Sequence, residues 1–336
     1  MYKYQKNEDI TLVEYKSLDK IKEAIYPEPT ICFVEPFLTN ESLYVTKDRH
    51  FSQKYNSYLS GKKYDDNFKQ IEYDQVTPNL TQYFDRLHVL WKSGINYSET
   101  ICTDFSHCPY FKIENNYNGF QDGAFYKCFG LRMEPSYIKN TTSFVVSFQN
   151  SLGDILRQFP KGFVMFNYPN QLIRPMLGIQ NIWVDMDNTK GWEIFQIVLI
   201  EVLRRRNKKN EPCMKDWENF DHRVLQSHLE NIGCRPPYLK GYSQFSICTT
   251  QDQLKRALYD GWTLEKSYYP DPCQEISNVA YKHFFQRVDT IYNLTTKFNL
   301  YFNYPVRGKL IKQSKNVDAH SLIGNIGGYI GLLLGE

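Results

Sequence analysis

The feature that most constrains the fold is the end of the chain, SLIGNIGGYIGLLLGE at residues 321–336. Gly327, Gly331 and Gly335 recur every four residues, and Gly324 and Gly328 share that spacing. On a helix the spacing leaves a bare stripe where another helix can approach closely, whereas each glycine costs about 1 kcal/mol against Ala in water. At 1.5 Å per residue, 322–335 would extend about 21 Å, roughly two-thirds of a membrane span. The alternative is a glycine-rich turn that closes a soluble core.

Cysteines and glycosylation sequons favour an oxidising, extracellular setting for the rest of the chain. The sequence has eight cysteines and no CxxC pair. Its five N-x-S/T sequons begin at Asn40, Asn79, Asn96, Asn140 and Asn293. The start, MYKYQKNEDI, is polar and is not a signal peptide. An intracellular protein with eight reduced, buried thiols therefore stays open as the alternative.

Local patterns predict an α+β fold in which strands dominate. The chain has 26 Tyr and 22 Phe, residues that suit half-buried sheet surfaces. Residues 30–200 are predicted to be mainly strands and loops, with strands at 142–148, 162–168 and 192–203, and a later strand at 297–304. Helices are predicted from a cap at Asp216 to Gly233 and over 251–259, where Thr250 and Gln253 form a capping box.

Several classes of function are disfavoured by the sequence. The net charge of +3 is too small to indicate nucleic-acid binding. No nucleophile, metal-ligand or cofactor motif has informative spacing. We therefore expect no enzyme activity, no metal and no cofactor.

The glycine-rich end resembles the start of the second transmembrane helix in the degenerin/epithelial sodium channel superfamily, which includes the acid-sensing channels. The family pattern is roughly LLGDIGGxxGLFxGxS, and Asn325 stands where Asp is usual. Four further stretches resemble segments of the family and occur in the family order. YPEPTICF resembles FPxxTICN, and NIGCRPPYLKGYSQFSICTTQDQ resembles the Cys-Arg loop before C-T-x-x-Q. DPCQEISNVAY resembles P-C-x-x-x-x-Y, and FNLYFNYP resembles the last extracellular strand. The likeness runs from about Tyr26 to Gly335, and is most specific in the glycine block and the Cys-Arg-Pro-Pro-Tyr loop.

The resemblance implies a disulfide-rich ectodomain with palm, finger and thumb parts. Residues 1–320 would be extracellular, with the thumb at roughly 213–273, and 321–336 would be the outer part of the second transmembrane helix. The first transmembrane helix and the selectivity residues would then lie outside this sequence. The implied disulfides are Cys32–Cys128, Cys102–Cys108, Cys213–Cys273 and Cys234–Cys248.

The resemblance further implies a subunit of an amiloride-sensitive, sodium-selective cation channel in the plasma membrane, gated by an extracellular stimulus. Its partners would be sodium ions, the lipid bilayer and related subunits in a homo- or heterotrimer. Ser321 matches the site where bulky side chains hold channels open, and Gly335 matches the first residue of the Gly-x-Ser constriction. The implied pore and gating residues are Ser321, Asn325, Gly327, Gly328, Gly331 and Gly335. The alternative is a secreted glycoprotein that keeps the channel ectodomain as a binding module.

Overall fold

We describe the fold from a computed structural model of the chain. The described residues are 9–21, 26–37, 51–63, 65–69, 71–93, 96–104, 108–121, 124–134, 141–149, 161–167, 182–184, 192–208, 212–215, 220–259, 273–285, 298–315, 323–324 and 326.

Strands dominate the described residues. In chain order they are β1 Asp9–Ser17, β2 Glu28–Val34, β3 Phe84–Ser93, β4 Asn96–Cys102, β5 Phe111–Gln121, β6 Ala124–Met133, β7 Thr141–Phe148, β8 Lys161–Asn167, β9 Ile182–Val184, β10 Trp192–Arg204, β11 Gln274–Phe285, β12 Phe298–Asn303 and β13 Arg307–Lys315. The α-helices are α1 Phe51–Leu59, α2 Phe220–Ile232 and α3 Gln251–Tyr259. Short 3-10 turns cover Leu18–Lys20, Asp66–Phe68, Tyr73–Val76 and Leu80–Tyr83.

The larger sheet is organised around β10. Along one edge, β10 pairs antiparallel with β11, from Trp192 opposite Phe285 to Arg204 opposite Gln274. Its other edge is shared, because its first half runs parallel to β12 and its second half runs parallel to β13. Strands β7, β3 and β4 continue the sheet beyond β12, and β1 pairs with β13. A strand flanked on both edges is expected to be rich in Ile and Val, as β10 is.

The smaller sheet has the order β5-β6-β2-β8-β9 and packs on the larger one through an aromatic core. Phe302 of β12 lies 5.0 Å from Phe144 of β7 and 6.2 Å from Phe166 of β8, measured between ring centroids. Phe111 of β5 lies 6.2 Å from Phe144. Phe111, Phe144, Phe166 and Phe302 are each no more than 2% exposed. Each such ring contributes about 1.5–3 kcal/mol through burial, so these contacts fix how the sheets stack.

A second core lies beside the sheets and is built mainly from helices. It joins α1, α2 and α3 to the segment around Phe37 and to Phe125 of β6. Tyr55 and Tyr58 of α1 are buried, and Leu229 of α2 packs in the same cluster. The described part of the chain therefore contains a strand-built body and a helical unit that meet at β6.

The α+β prediction and several local predictions are confirmed. Strands cover 141–148, 161–167, 192–204 and 298–303. Gly233 has a φ of +79° and its N–H bonds to Leu229 O, as expected for a helix terminator. The Thr250 Oγ1 and Gln253 Oε1 atoms each accept from the other's backbone N–H, at 3.3 and 3.2 Å, which is the predicted capping box. The proposed cap at Asp216 lies outside the described residues.

The prediction that 30–200 holds mainly strands and loops is confirmed for the described residues, but one helix that the sequence did not indicate, α1, also forms there. Its sequence FSQKYNSYL buries Phe51, Tyr55, Tyr58 and Leu59, which fall on one helical face. Aromatic residues also favour strands, and the helical periodicity is only two turns long. Packing in the second core decides between the two.

Candidate functional site

The last strand before the glycine-rich end in sequence, β13, forms an antiparallel ribbon with β1. In β1 and β13, Asp9 lies opposite Lys315 and Ser17 lies opposite Arg307. Asp9 and Lys315 are therefore neighbours at one end of the ribbon, although they are far apart in sequence.

The other end of the ribbon is held tightly against the body. The 3-10 turn at Leu18–Lys20 places the Leu18 N–H 3.1 Å from Val306 O. A Cβ added at Gly308 would lie 2.6 Å from Leu18 Cδ2 and 3.0 Å from Ile21 Cδ1. Gly308 is therefore required for close approach of the turn to β13, and this contact anchors the ribbon.

Charged side chains on the ribbon pair with their neighbours. Lys309 Nζ lies 2.6 Å from Glu201 Oε1 of β10, and this hydrogen bond raises the pKa of Lys309. Glu14 forms an ion pair with Lys16, and the hydrogen bond from Lys16 lowers the pKa of Glu14. Glu14 is exposed and Lys309 is only partly buried, so these pairs add little to stability.

Apolar side chains of β1 are exposed on both faces of the ribbon. Ile10 and Leu12 point to one face and are 37% and 42% exposed. Val13 and Tyr15 point to the other and are 50% and 67% exposed. The described part of the chain does not cover either face of this strand.

Of the glycine-rich end, the structure describes three residues, Ile323, Gly324 and Ile326, and all three are helical. Ile323 is 68% exposed and Ile326 is 40% exposed. A Cβ added at Gly324 would meet no atom within 4 Å. The side chains of Ile323 and Ile326 are therefore partly exposed in the described part of the chain. The predicted pore residues Ser321, Asn325, Gly327, Gly328, Gly331 and Gly335 lie outside the described residues.

Within the described residues, none of the helices has the length and apolar character needed to cross a bilayer.

Four disulfides brace the body, and they are the pairs that the resemblance implies. Cys32–Cys128 joins directly opposed residues of β2 and β6, with the Cα atoms 4.1 Å apart. Cys213–Cys273 closes the base of the segment that contains α2 and α3. The other two bridges, Cys102–Cys108 and Cys234–Cys248, span 6 and 14 residues.

The base of the α2 and α3 segment is also tied to the larger sheet through the backbone. The Arg205 N–H donates to Cys273 O at 2.7 Å, and the Cys273 N–H donates to Met214 O at 2.7 Å. Arg205 also pairs with Glu275 of β11 at 2.8 Å. The base of this segment is therefore bonded to the adjoining ends of β10 and β11.

The structure describes the side chain of one predicted glycosylation site, Asn79. It is exposed, and its Oδ1 accepts from the Thr81 N–H at 3.3 Å and from the Thr81 hydroxyl at 2.8 Å. The backbone of Asn96 lies at the start of β4, without a description of its side chain. Asn40, Asn140 and Asn293 lie outside the described residues.

A buried lysine that the sequence did not single out lies where the strand-built body meets the helical unit. Lys127 of β6 is 2% exposed, and its Nζ donates to Asp74 Oδ1 at 3.0 Å and to Thr77 Oγ1 at 2.7 Å. Burial lowers its pKa to about 7. Among the described residues, no group of three or more His, Cys, Asp or Glu side chains is placed to hold a metal ion.

Comparisons with solved structures include a distant structural neighbour. No protein-family profile matches the chain, and no curated protein matches it in sequence. The cryo-EM structure of a proton-activated chloride channel aligns with a TM-score of 0.32 and 7% identity, over 99% of this chain and 84% of that one. A TM-score of that size does not establish a shared fold. The resemblance to the sodium channel superfamily therefore rests on the sequence motifs quoted above.

Proposed function

We propose that the chain is a subunit of the degenerin/epithelial sodium channel superfamily. In this proposal residues 1–320 form an extracellular body with palm, finger and thumb parts, and the thumb covers roughly 213–273. Residues 321–336 begin the second transmembrane helix in the plasma membrane. Three such subunits, identical or related, enclose an amiloride-sensitive, sodium-selective pore that an extracellular stimulus opens.

The observation that carries the proposal is the pairing of Asp9 with Lys315. A subunit with two membrane helices and one extracellular body must send both chain ends towards the bilayer at the same place. The β1/β13 ribbon provides such a place, and the exposed helical residues Ile323 and Ile326 follow it closely. In this proposal Ile323 and Ile326 would contact lipid or a neighbouring subunit.

The disulfides and the helical unit are also consistent with the proposal. The part of the helical unit that contains α2 and α3 stands on a base closed by Cys213–Cys273, as a thumb would require. Its base bonds to β10 and β11, the central strand and an outer strand of the larger sheet. We assign the larger sheet to the palm, because it leads through β13 to the membrane helix.

The glycine-rich end supplies the chemistry of the pore. Gly327, Gly331 and Gly335 would let neighbouring helices pack backbone to backbone near the outer mouth. Asn325 would place a polar amide there. Past Gly335, exposed backbone carbonyls would replace part of the hydration shell of a sodium ion.

The test is voltage-clamp recording from cells that express the complete transcript. We expect a sodium current that amiloride blocks, and we expect Ser321→Phe to raise the resting current because a bulky side chain prevents tight packing of the pore helices. Ser321→Ala is the matched control, and its current should still depend on the extracellular stimulus. Absence of sodium current from all three proteins, with surface labelling positive, would refute the channel. Recovery of the protein only from the medium would favour the secreted binding module.

A further inference from the structure

Basic side chains gather at the end of the larger sheet where β10 stops. Arg204, the last residue of β10, begins the run RRRNKK at 204–209, of which 204–208 are described. The parallel pairing of β10 with β13 places Arg204 next to Lys312. Directly paired residues on neighbouring strands lie on the same face of a sheet. A strand that is distant in sequence therefore adds a cation to the run.

The chain after β10 is held against the base of the segment that contains α2 and α3. The Arg205 N–H donates to Cys273 O, and the Cys273 N–H donates to Met214 O. Asn207 Oδ1 accepts from the Cys213 N–H at 3.2 Å. These hydrogen bonds bring the basic run together with the start of that segment.

Two more cations lie at the start of this segment. Lys215 follows Met214 in the sequence and is exposed. Arg223 of α2 is also exposed, and its Nη2 lies 3.1 Å from Met214 Sδ. On β13 the Lys312 side chain is exposed, whereas the cations of the run are half-buried. We use the term basic end for six residues: Arg204, Arg206, Lys208, Lys215, Arg223 and Lys312.

Two acidic side chains described near the basic end are engaged by other cations. Glu275 of β11 pairs with Arg205 at 2.8 Å. Glu14 of β1 interacts electrostatically with Lys312 but forms its ion pair with Lys16. Within the described part of the chain, the basic end therefore has a local excess of positive charge, although the net charge of the whole chain is only +3.

The chemistry of the basic end suits a ligand that carries several anionic groups. Guanidinium groups donate paired hydrogen bonds to oxyanions such as sulfate and phosphate, and ammonium groups bind them as point charges. The six cations come from β10, β13, α2 and the loops between them, so one small anion could contact only part of the set. A polymer with anionic groups along its length could contact the whole set, and runs rich in Lys and Arg are typical of such binding surfaces.

Three classes of polyanion fit such a surface: nucleic acid, anionic membrane and sulfated polysaccharide. All eight cysteines form disulfides, which persist in oxidising, extracellular surroundings. Nucleic acids lie inside the cell, and the negative surface potential of the plasma membrane belongs to its cytoplasmic leaflet. Sulfated polysaccharide is therefore the class that matches both the charge and the compartment.

We propose that the basic end binds a sulfated polysaccharide at the cell surface. Arg204 and Arg206 would donate to sulfate oxygens near the end of β10, and the cations on β13 and α2 would hold further sulfate groups along the polymer. The inference rests on the proposed function at one point only, the extracellular placement of residues 1–320. It requires no pore, so the two proposals can fail separately.

Binding of the full chain to heparin, measured as a function of salt concentration, tests the proposal. The protein is purified in a neutral detergent with its disulfides intact. Two double variants, Arg206→Gln/Lys208→Gln and Lys215→Gln/Lys312→Gln, each remove two charges from the basic end. Circular dichroism of each variant checks that these surface substitutions leave the fold intact.

The expected loss of affinity follows from the counterions that a bound cation releases from a polyanion. Each such cation contributes about 0.7–0.9 to the slope of log Kd against log salt concentration. Loss of two cations should lower the slope by about 1.5. If their contribution vanishes at about 1 M salt, binding at about 0.15 M salt should weaken about twentyfold.

The matched control is Lys62→Gln/Lys63→Gln, because both side chains are exposed on the turn after α1. It removes the same charge outside the basic end, so Kd should change less than about twofold at the same salt concentration. Equal weakening by the control and by the basic-end variants would overturn the proposal, as would failure of the wild type to bind heparin. Equal affinity for heparin and for desulfated heparin would overturn the assignment to sulfate.

Lipid vesicles distinguish the polysaccharide from a membrane. Binding to vesicles that contain phosphatidylserine, rather than to heparin or to pure phosphatidylcholine vesicles, would identify an anionic membrane as the partner and overturn the proposal if the same double variants abolish it. Heparin binding that these variants weaken, in a protein that carries no sodium current, would support this inference and refute the channel.

Discussion

Gly61→Ala should destabilise the protein strongly, because Gly61 lies at a backbone contact between two helices. Gly61 follows α1 with a φ of +63°. An added Cβ would lie 2.8 Å from the backbone N of Lys255 and 2.9 Å from the backbone O of Gln251, both in α3. The Gln251 side chain also donates to Gly61 O at 3.0 Å and to Lys62 O at 3.1 Å. The turn after α1 is therefore docked on the first turn of α3.

The loss of stability in Gly61→Ala has two causes. Placing a Cβ at a left-handed φ costs about 1–2 kcal/mol. Forcing two backbones apart costs about 1–3 kcal/mol in addition, as for an overpacked core. We therefore expect Gly61→Ala to lower the free energy of unfolding by about 2–5 kcal/mol.

Urea unfolding monitored by circular dichroism measures this loss, and Gly241→Ala is the matched control. Gly241 has a φ of +84°, but an added Cβ would meet no atom within 4 Å. Its substitution should cost only the backbone part, about 1–2 kcal/mol. Equal losses for the two variants would refute the docking of α1 on α3.

Three further predictions follow from the bridges, the buried lysine and the exposed sequon. Replacing Cys32 and Cys128 by Ala should lower the free energy of unfolding by about 4.7 kcal/mol, whereas removing the Cys234–Cys248 bridge between α2 and α3 should lower it by about 3 kcal/mol. The difference arises because the two bridges enclose segments of 96 and 14 residues. Urea unfolding of both variants measures the two losses, and the reverse order would contradict the loop-entropy account. The pKa of Lys127 is about 7 in the folded state, below its value in the unfolded chain, so the unfolded chain binds more protons between pH 7 and pH 9. The free energy of unfolding should therefore rise by about 2 kcal/mol as the pH is raised from 7 to 9. Urea unfolding at the two pH values should show this rise in the wild type and not in Lys127→Met. In protein from a secretory host, Asn79→Gln should remove one glycan sensitive to peptide-N-glycosidase, because the side chain is exposed; unchanged electrophoretic mobility would show that this site is not used.

Local features of the fold were predictable because their causes are local. Gly233 ends α2 through a backbone conformation that glycine adopts without strain. Thr250 and Gln253 reach each other across one helical turn. Strand β10 is rich in β-branched residues, and this composition favours a strand regardless of which strands pair with it. The sequence identifies such features without any knowledge of tertiary structure.

The arrangement of these elements was not predictable, because it depends on contacts between distant residues. Nothing in the sequence of β10 indicates that its two halves pair with different strands. Lys127 lies in AFYKCFGLRM, where a lysine would ordinarily point to solvent. Its burial depends on Asp74 and Thr77, which lie 53 and 50 positions earlier in the sequence. The candidate pore was indicated by resemblance alone, through the glycine spacing of the last residues.

A structure of the subunit determined by cryo-EM in lipid nanodiscs would test the central claim most directly. The account predicts a helix that starts near Ile323, enters the lipid density and packs its glycines against two neighbouring copies, with the cystine-braced body outside the bilayer. A terminal segment folded as a strand or coil within a water-exposed core would contradict the account.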